Sequence, residues 1–461
     1  MGDNRFDAIV IGAGIGGLCC AGELVLQGLK PLLIAEGKEV GVALKPKMVD
    51  GNRGIMQGPT NQIAWGGGWW TSVVRRLNVP VRVPRGFGAL PYDLAIAGSP
   101  EIIPVAQHLT SAADMTAMLC DAFPMVAGAA GEIDRILDLA LNIPYQHLAT
   151  MDELPLVEWL AEQRADELVS FLMVMLASAA LASTADFCRD NVSVYGAIGG
   201  LRTLFGEAVF GYVYPDHREG MAIPLGQAIE RRGGTIWRGR RVEQVTVDSG
   251  RVGSVVLRDG TEISAPVVAL ACSNARVSQL LDPLPPEVAA PLEASARNAH
   301  QDFHAFAVLD EPVVPAERNG WLGVVNTYPT QPLVWSAPLH AVAPWLAAPG
   351  KQFLMAALCI PATDEARLGG DTAVSLLRDT LERYYPGALA AASTVDIASH
   401  PPGHLWYDNM TTAPKLSRTI DSVDGLWFVG EGSKPTCGFY MEAAASAGVL
   451  GARAIAERCR P

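Results

Sequence analysis

The stretch DAIVIGAGIGGLCCAGELVLQGLKPLLIAE, residues 7–36, decides the fold of this chain. Residues 9–11 and 32–34 are short, wholly apolar runs, as strands buried on both faces of a parallel sheet are. Residues 15–28 between them have helical spacing and stop at Gly28, the residue type that caps helix C-termini. Strand, helix and strand make a βαβ unit. In its turn, GAGIGG, Gly12 permits the sharp bend, Gly14 lets backbone approach a pyrophosphate, and Gly17 lets the helix lie close to the sheet; Ala13 and Gly16 complete the loop. The helix N-terminus then faces the phosphates, and Glu36, ending the second strand, is placed to accept both ribose hydroxyls of an adenosine. The unit reads as a dinucleotide site.

Working outward, the 461 residues are 49% hydrophobic and 18% charged, with 46 Gly and 32 Pro, which excludes a disordered or fibrous chain. Lys and Arg number 35 against 48 Asp and Glu, a net charge of −13, and no basic run is dense enough to neutralise a series of phosphates, so nucleic acid is not an expected partner. The 8 cysteines include no CxxC pair and read as free thiols of a reducing compartment. With no basic leader before the first strand, a cytoplasmic protein is expected. The uncharged run at residues 168–182 is shorter than the ~20 residues of a bilayer span. It reads as a buried helix, with a helix lining an apolar tunnel or touching a membrane surface as the alternative.

Residues 86–214 are mostly helical in pattern, with helix starts at Ser111, Asp152 and Asp166. Residues 233–272 are alternating runs broken by Asp-Ser-Gly and Asp-Gly, a β-meander. Residues 286–414 mix strand-like runs with one helical stretch at 372–385. Finally GLWFVGEG (425–432) is a strand running into glycine, followed by a helix from near Tyr440. The free N–H groups and positive dipole end of such a helix suit the pyrimidine edge of a flavin, whose reduced form is anionic, better than a nicotinamide. FAD is the expected cofactor.

DAIVIGAGIGG, VGVALKPKMVDG (40–51) with GPT (58–60), the meander with VVALACSNA (267–275), and GLWFVGEGSKPTCGFYMEAAASAG (425–448) together resemble the superfamily of phytoene desaturases and flavin amine oxidases. The resemblance implies an α/β fold: a Rossmann-like FAD domain of three layers (ββα) from residues 1–85, 215–285 and 415–461, and a mixed α+β substrate domain from 86–214 and 286–414. It implies that Gly12, Gly14, Gly17 and Glu36 hold the ADP part of FAD, that Val242 meets adenine through its backbone, that Gly430 and Glu431 meet the ribityl and pyrophosphate, and that Met441 lies at the flavin. Where the superfamily has Gly-Gly-Arg after the second strand this chain has Gly41, Val42 and Ala43, leaving Lys45 as the nearby cation for the phosphates. On DFHAFAVLDEP (302–312), His304 falls where amine oxidases of this kind place a lysine beside flavin N5.

The expected reaction is dehydrogenation, a C–C desaturation of a hydrophobic small molecule, with oxygen or a quinone as electron acceptor. An amine oxidase and a redox-neutral double-bond isomerase are the alternatives. His304 is the candidate base, since a neutral imidazole takes protons near neutrality. His300 shares its face by the period of two. Tyr440, before the closing helix, is the candidate to flank the substrate, with Trp406 or Tyr407 as its partner; Cys437 is a thiol of the kind some amine oxidases link covalently to flavin, but it matches no family position. No metal site is expected, because no carboxylate stands in ligand spacing with the histidines. A homodimer is among the expected assemblies.

Overall fold

A computed structural model describes residues 6–55, 68–84, 92–97, 102–105, 111–181, 183–202, 212–325, 331–362, 365–400, 405–406, 410–434, 436 and 441–460. Five strands from distant parts of the chain form one all-parallel sheet, in the order Leu426–Phe428, Val268–Leu270, Ala8–Ile11, Pro31–Ala35, Thr235–Arg238. The pleat explains why these runs are apolar throughout. Ala8, Val10 and Leu33 face a layer containing the helices Ile15–Leu26, Ile223–Arg231 and Met441–Cys459. Ile9, Ile11, Leu32 and Ile34 face the meander Val242–Asp248, Arg251–Leu257, Glu262–Ile263 and the helix Asn274–Leu280. Each buried Ile or Leu on either face contributes about 1.5–3 kcal/mol. This is the expected three-layer ββα arrangement.

Local chemistry sets the ends of the first unit. Helix Ile15–Leu26 stops in a Schellman turn: Gly28 takes φ +84°, its N–H donates to Val25 O, and Leu29 N–H donates to Leu24 O. The same helix lies directly on the closing helix Met441–Cys459, where a Cβ on Gly448 would stand 2.1 Å from Gly16 O. The first and last segments of the FAD-type unit are thereby locked together. Glu23, wholly buried between them, accepts from Arg76 at 2.5 Å and Arg453 at 3.2 Å.

A second, mixed sheet runs Ala392–Ser399, Ala299–Leu309, Gln352–Pro361, Val334–Pro338, Trp321–Val325, Tyr92–Ile96, Ile102–Val105, with Leu405–Trp406 paired to the start of Ala299–Leu309. Along the long strand Ala299–Leu309, Phe303, Ala305, Ala307 and Leu309 pack with Leu377 and Leu381 of helix Glu365–Tyr384. His300, Asp302, His304, Phe306 and Val308 therefore face the other way. The two strands within 92–105 depart from the helical reading of that region. Tyr92–Ile96 is held by parallel pairing to Trp321–Val325, a partner more than two hundred residues away that local periodicity does not see.

The remaining helices form a cluster of their own around Glu167–Leu181, whose Val169, Leu172, Met173 and Leu176 are buried. The buried-helix reading of residues 168–182 is therefore the right one for most of the segment, although Leu168 and Phe171 stay exposed. Ser111 caps Ala112–Ala122 by accepting from Asp114 N–H, and Asp166 accepts from Val169 N–H, as expected. Asp152 does not start a helix; the next one begins at Leu156, and the Asp152 carboxylate instead pairs with Lys434 at 2.8 Å. Among the described residues no helix is long and apolar enough to cross a membrane.

Candidate functional site

The glycine turn is built for close approach on three sides. Gly12 takes φ +108°, and a Cβ there would meet Ala271 O at 2.4 Å. Gly17 lies so near the turn that its Cβ would stand 1.8 Å from Gly12 O. Gly14 differs: a Cβ on it meets nothing within 4 Å. It is the N-cap of helix Ile15–Leu26, with extended backbone and no side-chain cap, so the helix's first N–H groups are left for a ligand. An open face over an uncapped helix start fits a pyrophosphate. The loop after the second strand folds back onto this turn through Gly41 N–H donating to Ala13 O, which brings Lys45, exposed, to the rim. Beside it runs a crevice lined by Leu44, Lys45, Arg53, Ile55, Tyr212 and His217 among others.

Glu36 stands at the end of its strand, 57% exposed, and accepts from Arg241 Nη1 at 3.0 Å. Val242, the next residue, is buried, and its carbonyl accepts from Arg276. Acid and Val242 backbone thus lie side by side, where an adenosine needs both. At the opposite edge of the sheet, Gly430 follows strand Leu426–Phe428; its carbonyl accepts from Ser433, and Glu431 is half-buried in the turn. Met441 begins the closing helix and is buried. Tyr440, Cys437 and Tyr407 lie outside the described residues, as does the side chain of Trp406.

Sequence reading missed Glu442. Only 1% exposed, it accepts Trp69 N–H at 2.5 Å, while its Oε1 has no hydrogen-bond partner among the described residues and would stand 2.0 Å from a Cβ on Gly68. It thus supplies, from another segment, an acceptor for the start of helix Trp69–Arg76. The run GGGWW (66–70) before an uncapped helix was the available signal. Burial pushes the Glu442 carboxyl up to about 7, against the opposing pull of the Trp69 and Trp70 N–H groups. A group held more tightly protonated in the folded state stabilises below its unfolded value and loses that stabilisation as pH rises through 7. Wild-type protein is therefore expected to lose about 3 kcal/mol between pH 5 and 8 from this one group. Glu442→Gln should remove that slope in denaturant titrations; an unchanged slope would show that the carboxyl is not the cause.

On the second sheet, His304 is 1% exposed and its Nε2 lies 2.7 Å from Asp302 Oδ2; His400 Nδ1 lies 2.8 Å from the same oxygen. The strand alternation carries Asp302 to the same face as His304, two residues on, and the sheet pairing brings His400 from the far side. Burial alone would push the Asp302 carboxyl up, but the hydrogen bonds from His304 and His400 outweigh it and hold it well below the usual carboxylate range. His300 is a core histidine: Nδ1 meets Asn298 O at 2.8 Å, Nε2 meets Ser183 Oγ at 2.8 Å, and burial pushes it down to about 3, so it stays neutral.

Around His304 the face is mostly apolar, Asp396 opposite Phe306, paired with Lys47, being the next charged group on it after Asp302. The cross-strand neighbours of His304 are Ala357 and, beyond, Trp335, and the next row holds Phe306, Met355 and Ala337. Phe306 is stacked 6.0 Å from the His304 ring, and its own ring lies 2.7 Å from where a Cβ on Gly54 would be. Gly54 ends the hairpin Lys47–Val49, Asn52–Gly54, and Arg53 and Ile55 beside it line the crevice that begins at Lys45. The crevice and the buried face around His304 are thus separated by the hairpin strand that carries Gly54. A carboxylate set between two imidazoles also offers three metal ligands, a grouping the sequence reading did not foresee. The 2.7 and 2.8 Å separations are hydrogen-bond lengths; two ligands on one tetrahedral ion stand about 3.3 Å apart.

Residues 148–456 match the sequence profile of a family described as flavin containing amine oxidoreductase. No curated protein matches the chain. Among solved structures, an oxidoreductase from Methanosarcina mazei is similar at TM-score 0.71 and 18% identity, over 96% of this chain and 98% of that one. A protein of Exiguobacterium sp. 255-15 provisionally assigned as a protoporphyrinogen oxidase gives TM-score 0.66 and 16% identity, over 99% and 100% of the two chains. Cyclohexylamine oxidase from Brevibacterium oxydans IH-35A gives TM-score 0.63 and 17% identity, over 98% and 99%. At these identities the structures show a shared fold.

Proposed function

The chain belongs to the family of flavin containing amine oxidoreductases and is an FAD-dependent oxidoreductase, and on that premise we propose that it dehydrogenates a C–C bond of a hydrophobic small molecule. The observation that carries this reading is the largely apolar face around His304: its charged partner Asp302 is already engaged by two imidazoles, and the next carboxylate on that face, Asp396 opposite Phe306, is paired with Lys47 at 3.5 Å. FAD supplies the hydride acceptor. The chain supplies the rest: Phe306, Met355 and Trp335 bind hydrocarbon and exclude water, and His304, backed by Asp302, takes the proton from the adjacent carbon. Tyr440 flanks the substrate in this reading. The cofactor-holding residues are Gly12, Ala13, Gly14, Gly16, Gly17, Glu36, Lys45, Val242, Gly430, Glu431 and Met441, within an FAD domain of residues 1–85, 215–285 and 415–461; oxygen or a quinone reoxidises the flavin.

A second reading, amine oxidation, is favoured by the family description and by the likeness to cyclohexylamine oxidase. Anaerobic mixing of the FAD-loaded protein with phytoene, protoporphyrinogen and cyclohexylamine separates the two: bleaching by the first or second supports desaturation, and bleaching by the amine alone overturns it. For the cofactor assignments, Glu36→Ala is expected to leave the fold intact while shedding FAD on gel filtration. Full flavin content in that variant would show that the ribose is held elsewhere.

A further inference from the structure

We infer that Asp302 and His400 are positioning residues that hold His304 with its proton on Nε2 and its lone pair on Nδ1. The inference rests on the reading of His304 as the base. An ionised carboxylate is an acceptor only, so both nitrogens that reach Asp302 Oδ2, His304 Nε2 at 2.7 Å and His400 Nδ1 at 2.8 Å, carry protons. In the neutral ring that the base role requires, His304 Nδ1 is then the unprotonated atom, and it is buried with no hydrogen-bond partner among the described residues. A base needs that atom.

His400 acts through Asp302. The carboxylate is 2% exposed, and its Oδ1 has no partner among the described residues, so its charge is supported by the two donors at Oδ2. With His400 removed, one donor is left and the buried carboxyl gains a proton. A protonated Asp302 donates to His304 Nε2, which forces the ring proton onto Nδ1 and closes the base. His400, with 23% of its side chain exposed, thereby sets the tautomer of a ring it does not bond.

The test is nitrogen NMR of ring-labelled histidine in the full-length, FAD-loaded protein, the His304 signals being those lost in His304→Gln. In wild type, Nδ1 of His304 is expected in the unprotonated range and Nε2 in the protonated range. His400→Leu should shift Nδ1 to the protonated range, and His400→Asn, whose amide N–H stands in for Nδ1–H, should restore it. A wild-type His304 protonated on Nδ1, a His304 spectrum indifferent to His400→Leu in folded protein, or a divalent metal bound one to one at the three side chains would each overturn the inference. No substrate enters this measurement. Normal flavin reduction by His304→Ala would sink the reading of the base while leaving the tautomer result standing.

Discussion

His304→Ala is expected to slow anaerobic flavin reduction by roughly 10²- to 10⁴-fold, about 3–5 kcal/mol of barrier, with FAD content unchanged. The size follows from what the side chain does in the proposed step. A C–C dehydrogenation releases a proton as the hydride departs, and the other groups near His304 on that face carry no base or are already engaged: Phe306, Met355, Ala357 and Trp335 have no basic atom, Asp302 is bonded twice, and Asp396 is paired with Lys47. In the proposed assignment FAD is held by other segments, so its retention should not respond. The alanine also opens a space beside Phe306 the size of an imidazole. Added imidazole is therefore expected to restore part of the rate, which a purely structural histidine would not show. Reduction at the wild-type rate would remove His304 from the chemistry.

Gly17→Ala should abolish folded, flavin-loaded protein, whereas Gly14→Ala should fold normally and fail to hold FAD. The two glycines stand three residues apart and differ in what a methyl would meet. At Gly17 it would lie 1.8 Å from Gly12 O and 2.9 Å from Gly12 C, both backbone atoms of the turn itself. The helix must then lift off the sheet, and the closing helix lying on Gly16 goes with it. The cost exceeds the ~1–3 kcal/mol of ordinary overpacking, and the ~1 kcal/mol gained from alanine's helix propensity does not offset it. At Gly14 the methyl points into open space from an extended backbone that alanine adopts freely. Among the described residues it obstructs nothing, which leaves a ligand at the helix start. Melting temperature and bound flavin, measured on both variants, separate the two effects; an unaltered flavin content in Gly14→Ala would show that the pyrophosphate does not lie there.

Much of this architecture could be read from residues 7–36 because its determinants are local: apolar runs of strand length, a glycine at the Schellman position, and glycines where backbone meets backbone. The meander was equally legible from its Asp-Ser-Gly and Asp-Gly turns, where Ser249, Gly250 and Gly260 take positive φ. What escaped was set by partners far along the chain. Tyr92–Ile96 joins the second sheet through Trp321–Val325, with Ile102–Val105 paired on its other side, and Glu442 matters because a helix start from residue 68 onwards is brought against it. Half of the His304 constellation was visible. The period of two places His300 and His304 together, and it also places Asp302 between them on the same face. His400 reaches Asp302 through sheet pairing, which sequence spacing does not encode.

The most direct test is the mass of the product formed in one anaerobic turnover in ¹⁸O-labelled water with whichever probe bleaches the flavin. The account predicts a product two hydrogens lighter than the substrate, with its heteroatoms intact and no label taken up. A carbonyl product carrying ¹⁸O, released together with ammonia or a free amine, would contradict it.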